Sequence, residues 1–140
     1  MINKPKEGNG NVTLEIKNGI LHCCYIVSSI NLEQAKDLVA FRLKYTDYTD
    51  YPIIIRSLHS LNINKEARQY LGTEGKKNVS ICALVATNPF MTLFVNLFLK
   101  LDLQPVSFPC KVFNNEKAAM RWLRNNIAKM VLESKIDSSK

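Results

Sequence analysis

Two short apolar runs decide most of what this chain can become. Ile53-Ile54-Ile55 is wholly β-branched, and residues 79–86 read VSICALVA with one polar side chain among them. Neither run alternates, so neither suits a sheet with one wet face. Each demands cover on both sides, the habit of a central strand in a parallel sheet. Between them Asn64 caps a helical stretch, KEARQYLGTEG, which Gly72 and Gly75 stop. Strand, helix, strand in that order makes a crossover, and helices on the sheet faces supply the cover. Tyr51-Pro52 opens the first run, with proline at the strand's start, where a missing N–H harms no ladder.

The flanks extend the same pattern. Residues 12–17, VTLEIK, alternate as a half-buried strand does, and Asn18-Gly19 follows, the pair that a type I′ turn prefers because both central residues take positive φ. Residues 20–27 return as an antiparallel partner. Asn31 and Gln34 form a capping box for LEQAKDLVAFRLKY, whose core face is Ala35, Leu38, Val39 and Leu43, beside an aromatic stripe of Phe41, Tyr45 and Tyr48. A third helix starts at Asn88-Pro89, with proline at the first helical position. Residues 110–113 give a last short strand, and Asn114 caps a final helix carrying Ala119, Trp122, Leu123, Ile127 and Met130 at helical spacing.

The expected fold is therefore α/β: a mixed, mostly parallel five-stranded sheet with an antiparallel N-terminal hairpin strand and four helices. Residues 1–11 read as a flexible leader, 12–132 as a single domain and 133–140 as a frayed tail. The 140 residues suit one domain. The opening MINKPKEGNGN lacks the apolar run of a secretory signal, which points to the cytoplasm. The four cysteines, Cys23, Cys24, Cys82 and Cys110, form no CxxC pair and sit in apolar runs, as small buried hydrophobes do in a reducing compartment. With His22 and His59 the only histidines, neither a metal nor another cofactor is expected.

The charge is +7, from 19 basic and 12 acidic residues. Lys117, Arg121 and Arg124 fall at i, i+4 and i+7, the solvated face of a helix, and no aromatic-and-basic stacking pattern accompanies them. Nucleic acid is not an expected partner. Residues 88–103, NPFMTLFVNLFLKLDL, are the unusual segment. Wound at 100° per residue, they confine Thr92, Asn96 and Lys100 to one stripe and leave an apolar arc of roughly 240°, against the ~100° a surface helix needs. Only about eleven largely apolar residues precede Lys100 and Asp102, too few for stable membrane insertion. The surplus calls for cover by the rest of the domain, by a second copy, by an apolar ligand or by a membrane surface. Homodimerisation would use Phe90, Phe94, Leu97, Phe98 and Leu101.

The hairpin leading into βαβαβαβ, the proline-led strand before Ser57-Leu58-His59-Ser60, and the closing FNNEKAAMRWL together resemble bacterial SpoIIAA-like proteins. These are anti-sigma-factor antagonists of the STAS superfamily, related in architecture to Sec14-type lipid-binding domains. The likeness covers roughly residues 12–127. It implies a non-enzymatic regulatory or protein-interaction module. Regulatory STAS members carry an Asp-Ser-Ser-Gly-like segment whose serine is phosphorylated by a partner kinase. Here Arg56 stands for the aspartate, and Ile63 or Asn64 falls where the serine would be, so the resemblance comes without that switch. Ser57 and Ser60 are the remaining hydroxyls of that loop.

In open α/β sheets ligands bind beyond the carboxyl ends of the parallel strands. That edge would carry Arg56, Ser57 and His59, then Thr87 and Asn88, then Asn114, with the helix start at Pro89 as an anion seat. These six are the candidate ligand-binding residues for the alternative role, a carrier or sensor of a small apolar or anionic molecule. Capping by Asn88 and Asn114, and pairing of Arg56 with a surface acid, is the competing account of the same residues. Ser57 and His59 come without a nucleophile elbow or an ordered acid, and Gly72-Thr73-Glu74-Gly75-Lys76-Lys77 lacks phosphate-loop spacing. No catalytic residue is assigned.

Overall fold

The structure, a computed structural model, describes residues 2–86 and 108–138. Its organising hairpin is the expected one. Strand β2 (Val12–Lys17) buries alternate residues, Asn18 and Gly19 turn at φ 52° and 78°, and β3 (Ile20–Tyr25) returns in register from Lys17 against Ile20 to Val12 against Tyr25. Outside β2, however, lies a strand that alternation does not announce. β1 (Lys4–Gly8) pairs antiparallel with β2, Gly8 opposite Thr13, so the segment read as a leader is a sheet edge. It is turned into β2 by Asn9, whose side-chain oxygen accepts from the backbone N–H groups of Asn11 and Val12. Its lysines and proline suit an edge that must not recruit another chain.

From β3 the chain makes crossovers. α1 (Leu32–Tyr45), with the Asn31–Gln34 capping box in place, leads to β5 (Tyr51–Ser57), and α2 (Lys65–Thr73), capped by Asn64, leads to β7 (Val79–Val85). β8 (Cys110–Phe113) adds to β7, Cys82 opposite Cys110. β3, β5, β7 and β8 are parallel neighbours, and the main sheet runs β1-β2-β3-β5-β7-β8. It thus has six strands rather than five, β1 being the addition. Two short strands, β4 (Ser29–Ile30) and β6 (Asn62–Ile63), pair with each other in the loops above. The described residues contain three α-helices, the last being α3 (Glu116–Ser138); the fourth expected helix, at 88–103, lies outside them.

Both sheet faces are covered, which is why residues 53–55 and 79–86 read as apolar runs without alternation. Beneath α1 and α2 lie Leu14, Leu21, Cys23, Tyr25, Ile53, Cys82 and Leu84. Beneath α3 lie Ile20, Ile54, Ile81, Ala83 and Val85, meeting Ala119 and Leu123. α3 is capped by Asn115, whose side-chain oxygen accepts from the Ala118 N–H at 2.8 Å, and not by the neighbouring Asn114. It remains helical through Ser138, past the point where fraying was expected. From Ala128 to Asp137 every residue is exposed, so that end projects clear of the sheet.

Candidate functional site

Four of the six residues expected to meet at the carboxyl edge of the sheet lie among the described residues. Arg56 points toward α3, where its guanidinium pairs with Glu116 at 2.6 Å. Ser57, the next residue on the strand, faces the opposite way, and the Leu58 N–H is taken by the Tyr25 carbonyl at 2.8 Å. His59 and Ser60 are exposed in the loop beyond, and Asn114 is exposed with its side-chain oxygen accepting from Asn115. Thr87 and Asn88 lie outside the described residues, as do the candidate interface residues Phe90, Phe94, Leu97, Phe98 and Leu101. Of the edge set, Arg56 is thus engaged by a surface acid.

A hollow of about 50 Å³ lies instead in the middle of the sheet's other face, between the strands and α1 and α2. Leu14, Leu38, Ile53, Leu71, Leu84 and Phe108 give it apolar walls. Into it comes Arg42, one turn beyond Leu38 on α1 and only 5% exposed. Its Nη2 donates to the Gly75 carbonyl at 3.1 Å. Among the described residues no carboxylate pairs with it; the ionisable groups that act on it are Cys23, Tyr25 and Cys82. Burial lowers its affinity for the proton, an effect that the thiols and the phenol oppose. Leu43, expected on this face, packs half-buried against the same core, while Arg42 takes the fully inward position. The signal that could have found it is its spacing, i+4 from Leu38 and i+3 from Val39.

Two thiols of the same face, Cys23 and Cys82, are held protonated. Burial pushes Cys23 up to about 12, with Arg42 opposing. Cys82 is raised by its hydrogen bond to Cys110 and then by burial, while that bond lowers Cys110, helped by the charge of Lys76. The proton therefore stays on Cys82, which donates to the Cys110 sulfur across the parallel strands. All four cysteines are free, and among the described residues no group of His, Cys, Asp and Glu could hold a metal ion.

On the opposite face a groove of about 550 Å³ runs between the β2–β3 turn and the first turns of α3. Lys17, Lys117, Arg121 and Arg124 line it, with His22 on its wall and Ile20 and Met120 as apolar floor. Burial, then the charges of Lys17 and Arg56, lower the affinity of His22 for a proton.

A family model described as a domain of unknown function (DUF7793) matches residues 14–127. The chain belongs to that family. The DUF7793 match begins inside β2 and ends at Ile127, just before α3 leaves the sheet, so both the hollow and the groove fall within it. No curated protein and no solved structure matches the chain. Among the described residues no helix is long and apolar enough to cross a membrane.

Proposed function

We propose that this DUF7793 chain is a non-enzymatic interaction module, regulatory in kind and STAS-like in role, that acts in the cytoplasm as a homodimer without a phosphorylated switch serine. The observation that carries the proposal is the apolar exposure of α3 just beyond Ile127. Met130, Val131 and Leu132 are 38%, 50% and 59% exposed on a stretch with no buried residue. An isolated helix shorter than about 12 residues is marginal in water. A projecting helical end with bulky apolar side chains is therefore best sustained by a second helix laid against it, and two-fold pairing satisfies both copies at once. Free Cys82 and Cys110, in register on neighbouring strands, suit a reducing compartment. Cys23 and Cys82, kept protonated, suit packing rather than nucleophilic chemistry.

The test is molar mass by light scattering. Wild-type protein should have the mass of a dimer, and the pair Val131→Glu with Leu132→Glu should be monomeric with unchanged circular dichroism, since neither side chain touches the core. A wild-type monomer at millimolar concentration overturns the proposal. Phe94→Asp probes the other apolar segment named from the sequence: a folded monomer from that change alone moves the interface to residues 88–103.

A further inference from the structure

Arg42 is an expensive group for its apparent work. A guanidinium withdrawn from water needs a counter-charge or a full set of acceptors. Arg42 is 5% exposed, makes one hydrogen bond to a backbone carbonyl and pairs with no carboxylate among the described residues. Bracing Gly75 would need a single donor, which a neutral side chain supplies at lower cost. What a guanidinium adds is a charged, planar fork of donors, the shape that matches a carboxylate.

The surroundings narrow the ligand further. Arg42 is the one cation among the described lining residues, so it balances a single negative charge there, and a dianion would leave net charge buried against Leu38, Leu71 and Leu84. The hollow, at about 50 Å³, exceeds the ~10–15 Å³ that one water occupies but is too small for a long acyl chain. Its apolar walls reward carbon over water, which favours a short alkyl group over a bare halide.

We infer that the hollow beneath α1 binds a small organic monoanion, a short-chain carboxylate whose head group takes the Arg42 fork and whose alkyl chain lies along Leu38, Leu71 and Leu84. The site is independent of the oligomeric state proposed above, and it differs from the carboxyl-edge site because Glu116 already holds Arg56 there.

The experiment is a methyl NMR titration of the wild-type protein with butyrate at constant ionic strength set by chloride. Saturable shifts at the methyls of Leu38, Val39 and Leu84 are expected, and none from butyramide, the uncharged isostere. Arg42→Lys, which keeps the charge but loses the fork, should weaken butyrate binding by about tenfold or more. Absence of a saturable shift overturns the inference. So does an equal response to butyramide, or unchanged affinity in the lysine variant. If that variant does not fold, the contrast between butyrate and butyramide in the wild type decides alone.

Discussion

His22 shows how a single side chain registers its place in this sheet. It stands on β3 opposite Glu15 and Ile54, half-buried, on the face that α3 covers. Burial is the first cause of its lowered proton affinity, and Lys17 and Arg56 add to it against Glu116 and Glu15. Lys117, Arg121 and Arg124 stand across the same groove. In the unfolded chain the imidazole titrates at its ordinary 6.5. On acidification the unfolded state therefore takes up the proton first, and stability falls as pH drops below that value. Above it the contribution is fully present. His22→Gln should flatten the decline in urea midpoint between about pH 7.5 and about pH 5. An identical decline in the variant would assign the loss to other groups. Arg42 teaches the complementary lesson. Helical periodicity places an inward residue near position 42 or 43, and the ordinary preference of arginine for solvent favours Leu43. The preference fails here because the hollow gives the guanidinium somewhere to go.

Among the elements, β1 is tied down by side-chain contacts distant in sequence. The Tyr45 hydroxyl, at the end of α1, donates to the Lys4 and Pro5 carbonyls at 3.0 and 2.7 Å, and Lys4 Nζ returns a bond to the Tyr45 carbonyl at 2.7 Å. The ammonium also sits 4.4 Å from the centre of the tyrosine ring. Tyr45→Phe keeps the packing and removes both hydroxyl bonds, at a cost of about 1 kcal/mol. Amide exchange in β1 should accelerate while the β2–β3 hairpin stays protected; equal protection of both would mean that pairing with β2 alone secures the edge. This distant anchor is also why β1 was illegible. KPKEG has no alternation and no β-branched residue, and its strand conformation is imposed by partners elsewhere. By contrast the Asn18-Gly19 turn and the caps at Asn31 and Asn64 are local devices, with cause and effect within four residues, and these could be read directly. The tandem Asn114-Asn115 lay between: either side chain is a competent cap, and nothing in the pair alone says which residue begins the helix.

At the scale of the whole molecule, the parallel sheet was legible because burial on two faces leaves its mark in composition. The content of those faces was not, since an apolar run does not say how well the covering helices fill the space above it. The same strands serve both sides. Ile53 and Cys82 point to α1 and α2, and their neighbours Ile54 and Ala83 point to α3. Damage to one face must therefore be felt on the other, unless the helices peel away separately. Trp122 makes this measurable, because it packs with Phe113 on the α3 side, their ring centres 5.6 Å apart. Leu71, on the inner face of α2, lies buried on the far side. Leu71→Ala should cost about 2–5 kcal/mol, as truncation of a buried leucine does. If the sheet couples its faces, the urea transition followed by Trp122 fluorescence shifts by the full amount at unchanged slope and coincides with the one followed by circular dichroism. A Trp122 transition that stayed put while the circular dichroism moved would mean that α3 unfolds on its own. Cohesion would then have to come from contacts outside the described sheet.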